Sequence, residues 1–307
     1  MVWWLACASA PGVGGDAAGE VVFEADDTAA ASADTASDRD TASGDDTGTW
    51  SPALTDFDLR RAGGHDVVVQ QDTVSAGGCS FDLVRYSPTS PIAQVVLSHG
   101  FLRAPDHMAD LAGHLASWGL EVVTPQLCHS SLWDADHEAN GVELAALADE
   151  LGFTAPVFMG HSAGGVASVV AASEGSASAV VTLDLVEFES LAASRGAGLS
   201  VPVWGAFGES SSCNADTSGL DAVSASGGLA LRVVGADHCD FEGPTDSLCT
   251  LFCEGSSAFS DSEISELIRA LATAAVIDVG GLGDAATWWS AGSWYEQLRA
   301  EGRLEAL

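Results

Sequence analysis

Six residues, Gly160-His161-Ser162-Ala163-Gly164-Gly165, constrain this chain more than any other feature. They follow a short apolar run, Pro156 to Met159, and open a small-residue stretch, Ala163 to Ser173, that reads as a helix. A serine with glycine two residues to either side, between a strand and a helix, marks a very tight turn. The glycines are needed because the bend leaves no room for side chains beside the serine. Such a turn holds the Ser162 hydroxyl out above the sheet edge. The helix N-terminus aims its N–H groups at the same region, where negative charge can be stabilised.

The flanking pattern supplies the rest of a sheet. Asp66 to Gln70 and Ser80 to Tyr86 alternate apolar and polar residues, as half-buried strands do. Ala93 to Ser98, Leu120 to Thr124, Ala179 to Leu185, Val201 to Phe207 and Leu229 to Val234 read as further strands. Asp106 to Trp118 has helical spacing, with Met108, Leu111, Leu115 and Trp118 on one face. Glu138 to Leu151 and Asp261 to Val276 read as two more helices, the latter capped by Asp261 or Ser262 with Glu263 in its first turn. Strands alternating with helices predict an α/β fold with a mostly parallel central sheet covered on both faces. The first two strands have no helix between them and should form an antiparallel hairpin at the N-terminal edge.

Charge narrows the partners. The chain has 307 residues with 44 Asp and Glu against 10 Lys and Arg, a formal net charge of −34, and every base is an arginine. Phosphate contacts need clustered cations, so nucleic acid is not an expected partner. Docking on an anionic membrane surface is excluded on the same ground. No run of 18 apolar residues exists to span a bilayer. A 47% hydrophobic fraction is ample for a sizeable core.

The acids are unevenly placed, which divides the chain. Residues 16 to 48 hold ten of them among Ala, Ser, Thr and Gly, with almost nothing to bury. Residues 16–58 therefore read as a disordered acidic tether and 59–307 as the folded body. Residues 1–15 look like the tail of an export signal. Leu5-Ala6-Cys7 resembles the end of a bacterial lipobox, where Cys7 would carry lipid, although no basic segment precedes it and the apolar run is short. The expectation is a protein displayed on the bacterial surface or in the periplasm as a lipoprotein, or secreted, with any membrane attachment through Cys7. Six cysteines remain: Cys79, Cys128, Cys213, Cys239, Cys249 and Cys253. An even number suits disulfides in an oxidising compartment, and six allow 15 pairings. Cys249 and Cys253 are close in sequence; Cys213 and Cys239 would be close if two neighbouring loops meet.

From about residue 65 to 280 the chain resembles the α/β-hydrolases, and within them the chlorophyllase-like and polyester-hydrolase or cutinase-like serine esterases. The resemblance rests on Ser98-His99-Gly100-Phe101 after an early strand, the Gly160–Gly165 turn, Thr182-Leu183-Asp184 at a strand end, and Gly235-Ala236-Asp237-His238 near the last strand. It implies a catalytic triad in the order serine, acid, histidine. Of eight histidines (His65, His99, His107, His114, His129, His137, His161 and His238) only His238 lies downstream of Ser162 with room for an acid between. The acid is Asp184, at the strand end favoured by chlorophyllase-like enzymes, or Glu209, one strand later; Asp237 and Asp240 sit too near the base in sequence to point at it readily. The oxyanion would rest on the Ala163 amide and on that of Phe101 or Leu102, and Phe101 would put an aromatic ring beside the acyl pocket. His99 and His161 should orient tight loops by hydrogen bonding; His107 and His114 should be solvated or packed surface.

The expected activity is hydrolysis of carboxylic esters through an acyl-enzyme, by a monomer acting on a small-molecule, lipid or polymer ester, with neither metal nor organic cofactor. An acyltransferase with the same triad, or another acyl-bond hydrolase, would share these residues. A non-catalytic surface-displayed binding lipoprotein would not need them. The short connection between the strands at 179–185 and 201–207 suggests an open cleft, with Trp133 and Trp204 as candidate lining residues.

Overall fold

The computed structural model describes residues 57–253 and 255–307. The lipobox-like segment, Cys7 and all but the end of the acidic tether lie outside the described residues.

Among the described residues, nine strands form one sheet in the order β1-β2-β4-β3-β7-β8-β9-β10-β11. These are β1 (Val67–Ala76), β2 (Cys79–Pro88), β3 (Ala93–Ser98), β4 (Leu120–Pro125), β7 (Val157–His161), β8 (Ala179–Leu183), β9 (Val203–Phe207), β10 (Leu229–Val233) and β11 (Leu304–Ala306). The six from β4 to β10 are parallel to one another; at the edges β11 pairs antiparallel with β10, β2 antiparallel with β4, and β1 antiparallel with β2. The expected edge hairpin is present and longer than its alternation suggested. Two-residue strands β5 (Ser130–Ser131) and β6 (Asp134–Ala135) form a separate hairpin.

The central strands are largely apolar because both faces are buried, the rule for parallel sheets. Along β3, Val95 and Leu97 face one core and Val96 the other. The first core lies under α1 (Ala109–Ser117) and α7 (Asp261–Val279), through Leu111, Leu115, Leu267 and Leu271. The second lies under α2 (His137–Glu150) and α3 (Ala163–Glu174), through Leu144, Leu147, Val166 and Val169. The buried Ala-rich α3 lets the helix sit close on the sheet, which brings the turn at Ser162 to the centre of its C-terminal edge.

Several boundaries differ from the sequence reading. The helix expected from Asp106 begins as a 3₁₀ turn, Pro105–Met108, before α1. Ser260, not Asp261 or Ser262, caps α7; its hydroxyl accepts the Glu263 N–H while the Glu263 carboxylate accepts the Ser260 N–H. β8 ends at Leu183 because Asp184 turns to φ +45°. Unanticipated elements are α4 (Leu191–Gly196), α5 (Leu220–Ala225), α6 (Ser247–Cys253), α8 (Ala286–Trp289), α9 (Ser293–Ala300), β11 and the β5–β6 hairpin. Trp204 is buried in β9, so it does not line a cleft, whereas Trp133, at the tip of the β5–β6 hairpin, is 96% exposed. No helix among the described residues is long and apolar enough to cross a membrane.

Candidate active site

The turn between β7 and α3 has the geometry its glycines imply. Ser162 sits at φ +56°, ψ −123°, a strained conformation for a residue with a side chain. A Cβ on Gly160 would lie 2.2 Å from the Gly164 carbonyl oxygen, and one on Gly164 would lie 2.4 Å from that of His99. These are backbone contacts that cannot yield, so neither position accepts alanine without displacing the turn. The Ser162 N–H donates to the Leu183 carbonyl at 3.0 Å, which fixes the serine beside the end of β8.

The next residue there is Asp184, fully buried. Its Oδ2 accepts the His238 Nδ1–H at 2.6 Å. Its Oδ1 accepts the Gly208 N–H at 3.0 Å and the Asn214 side-chain amide at 3.2 Å. An ionised carboxylate can only accept, so His238 carries its proton on Nδ1 and leaves Nε2 basic. His238 opens a 3₁₀ turn, His238–Phe241, after β10.

Glu209 is not brought to His238. It is half exposed, and its Oε1 accepts the Gly235 N–H at 2.9 Å. The Asp237 carboxylate accepts the N–H groups of Cys239, Asp240 and Gly255, and Asp240 Oδ2 accepts the Asp237 N–H, so both brace the turn that carries His238. Asn214 was missed by sequence reasoning. It is fully buried and also donates to the Glu209 carbonyl while its Oδ1 accepts from Ser211 and Thr217. Its only signal was a lone Asn beside a cysteine in a Ser-rich loop.

All six described cysteines are paired: Cys79–Cys128, Cys213–Cys253 and Cys239–Cys249. Cys249 and Cys253, one turn apart on α6, bond to different loops rather than to each other. Cys213 adjoins Asn214 and Cys239 adjoins His238, so the supports of Asp184 and His238 are both tied to α6. The two groups of candidate metal ligands among the described residues are built on these cystine sulfurs, which are not thiolates.

In the loop after β3, the Leu102 N–H donates to the Ser130 carbonyl at 3.1 Å, which commits that amide to the fold. Gly100 packs so close to the serine that a Cβ there would lie 3.2 Å from Ser162 Cβ, which puts Phe101 at the rim of the site. Phe101 meets His137 edge-on at 6.1 Å between ring centres, and His137 meets the exposed Phe188 at 5.0 Å. Ala163 contributes the first N–H of α3, which by helix geometry has no intrahelical acceptor.

The other histidines divide by environment. His99 is buried, and its Nδ1 bonds the Gly100 carbonyl while its Nε2 accepts the Leu127 N–H. Burial pushes it down to about 4, so it is neutral and structural, as expected. His114, packed rather than solvated, bonds the Leu59 carbonyl and is likewise lowered to about 4 by burial. His161 departs from expectation. Neither ring nitrogen makes a hydrogen bond among the described residues; Nδ1 faces Glu242 Oε1 at 3.4 Å, misaligned, and the ring lies 4.5 Å from that of His238.

No family model matches the sequence, and no curated protein matches it. Among solved structures the chain is similar to one described as a predicted CIB-like hydrolase from Thermoplasma acidophilum. The two superpose with a TM-score of 0.53 at 14% identity, over 70% of this chain and 100% of that one. Likeness at this identity shows the architecture: the chain has the α/β-hydrolase fold, with a mostly parallel sheet and helices on both faces.

Proposed function

We propose that this protein is an exported serine hydrolase that cleaves carboxylic esters through an acyl-enzyme, with Ser162 as nucleophile, His238 as base and Asp184 as the acid that orients it. The observation that carries this reading is the buried 2.6 Å bond from His238 Nδ1 to Asp184, one residue past the strand end to which the strained Ser162 is pinned. The kinship it suggests is with the chlorophyllase-like and cutinase-like esterases that the sequence resembles.

In the proposed reaction His238 Nε2 removes the Ser162 hydroxyl proton as Oγ attacks the ester carbonyl. The tetrahedral oxyanion is stabilised by the Ala163 and Phe101 amides, each such donor being worth about 2.7–4 kcal/mol of barrier. Asp184 fixes the tautomer and stabilises the imidazolium. The intermediate then collapses: the carbonyl–alkoxide bond breaks as His238 protonates the departing oxygen, and the acyl group stays on Ser162 Oγ. Water, activated by the same nitrogen, releases the acid.

Three disulfides support an oxidising destination and so favour export. The aromatic row of Phe101, His137 and Phe188 supports an ester with an apolar acyl or alcohol part. A fluorophosphonate probe tests the reading directly. Labelling of the oxidised wild type and none of Ser162→Ala is expected; a folded wild type that stays unlabelled and hydrolyses no p-nitrophenyl ester would remove it. A chain-length series of those esters then ranks the substrates.

A further inference from the structure

Four residues past His238, the same loop buries a carboxylate that the triad does not use. The Glu242 side chain is 1% exposed. Its Oε1 accepts Arg103 Nε–H at 2.8 Å, and Arg103 Nη1 also donates to Asp246 at 2.9 Å. The same Oε1 is the polar atom that faces His161 Nδ1, at 3.4 Å. On its other oxygen lie His107 Nδ1 at 3.8 Å and the Thr245 hydroxyl at 3.4 Å.

These contacts come from three places that must be in register for the proposed chemistry. Arg103 lies two residues past Phe101, and its N–H closes the oxyanion loop onto the Gly100 carbonyl at 3.2 Å. His161 precedes Ser162 and lays its ring against that of His238. Glu242 itself ends the 3₁₀ turn that His238 begins, its N–H donating to the Cys239 carbonyl. Its neighbour Gly243 docks on the start of α1 and the turn before it, donating to the His107 carbonyl and accepting from the Asp110 N–H, both at 2.7 Å.

We propose that Glu242 is a positioning residue of this site: a buried carboxylate that ties the loop of Phe101, through Arg103, to the 3₁₀ turn that carries His238, with the His161 ring packed beside it. The proposal rests on the serine-hydrolase reading above. Its physical argument is that burying an ion pair is costly and that apolar residues of similar volume often stabilise a protein at least as well. A pair placed between three loops of one site is therefore better explained by geometry than by stability. Burial raises the Glu242 carboxyl, but the contact with His161 and the charge of Arg103 outweigh it and hold it at about 2, so the group stays anionic. Burial, reinforced by the nearby His238, lowers His161 and keeps it neutral.

The test is Glu242→Gln, which keeps the shape and removes the charge, read with p-nitrophenyl esters and fluorophosphonate. Expected are a kcat at least about tenfold lower with KM within about twofold, the cost of one charge-assisted contact made in the transition state. A purely structural role would lower the melting temperature and leave kcat and the labelling rate of the folded protein at wild-type values. Should Glu242→Gln fail to fold, Arg103→Gln and Glu242→Asp are read in the same way, and each should slow fluorophosphonate labelling at least about fivefold. A wild-type kcat and labelling rate in the folded variants would overturn this proposal alone. An unlabelled wild type would instead overturn the triad on which it rests.

Discussion

Replacing Asp184 by Asn tests the proposed chemistry most sharply, because the structure dictates how the amide must sit. Oδ1 receives two donors, the Gly208 N–H and the Asn214 amide. An Asn at 184 keeps both only by turning its oxygen to them, which aims its own NH2 at His238 Nδ1. Nδ1 must then become an acceptor, and the imidazole proton moves to Nε2. That tautomer cannot take the Ser162 proton. The expected loss is about 10⁴-fold in kcat, or about 5 kcal/mol of barrier. Stability should change little, by about 1 kcal/mol or about 2–4 °C in melting temperature, because the two bonds to Oδ1 survive. Glu209→Gln is the matched control. It alters an exposed carboxylate that supports Gly235, and its kcat should stay within about fivefold of wild type. The assay is steady-state hydrolysis of a short p-nitrophenyl ester by folded, oxidised protein, with melting followed by circular dichroism. Folded Asp184→Asn within tenfold of wild type would refute the reasoning, and a collapse of Glu209→Gln in its place would move the acid one strand along.

Gly164→Ala forces a methyl to 2.4 Å from the His99 oxygen and 2.6 Å from that of Ser98, so urea unfolding should show a loss of about 3 kcal/mol and ester hydrolysis should fall with it. Joint replacement of Cys239 and Cys249 by Ala opens a crosslink spanning 10 residues and should cost on the order of 3 kcal/mol in the same measurement. Buried His99 and His114 both have folded pKa values near 4, below the usual 6.5, so the unfolded chain binds protons that the folded chain refuses. Stability is therefore complete above pH 6.5 and falls as the pH drops toward 4, by up to about 3 kcal/mol for each group. Melting temperature against pH measures this, and His114→Gln should flatten the slope in that window; an unchanged slope would show that His114 does not titrate as its burial requires.

What could be read from the sequence was whatever had its cause close by in the chain. The turn at Ser162 was legible because strand, glycines and helix lie within a few consecutive residues, and the steric need for each glycine is local. The central strands were legible because burial on both faces makes them short, largely apolar runs. The short helices α4, α5 and α8 were not, since a helix of four to six residues owes its existence to packing rather than to its own sequence. Asn214 and Glu242 were invisible for a related reason. Each is a single polar residue in a loop, and its meaning comes from partners up to 139 positions away, as in the Arg103–Glu242 bond. The choice between Asp184 and Glu209 also needed the third dimension. Both end strands of the same sheet, and it is the approach of the His238 turn that separates them geometrically.

The arrangement of the disulfides follows from where Asp184 and His238 stand. Asp184 leaves β8 in a left-handed conformation, and His238 follows β10, whose outer neighbour β11 has only three residues. The loops that complete this end of the sheet are rich in Ser, Gly and Asp and offer little apolar surface to bury, so packing alone holds them weakly. Crosslinks supply what the core does not. Cys213–Cys253 fixes the loop of Asn214, which orients Asp184, and Cys239–Cys249 fixes the turn of His238. Because both bridges end on α6, one helix of seven residues sets the distance between the two supports. Spacing within the chain could not reveal this. Cys249 and Cys253 stand on one helix face at i and i+4, and that closeness is used to hold two separate loops side by side rather than to join the two cysteines.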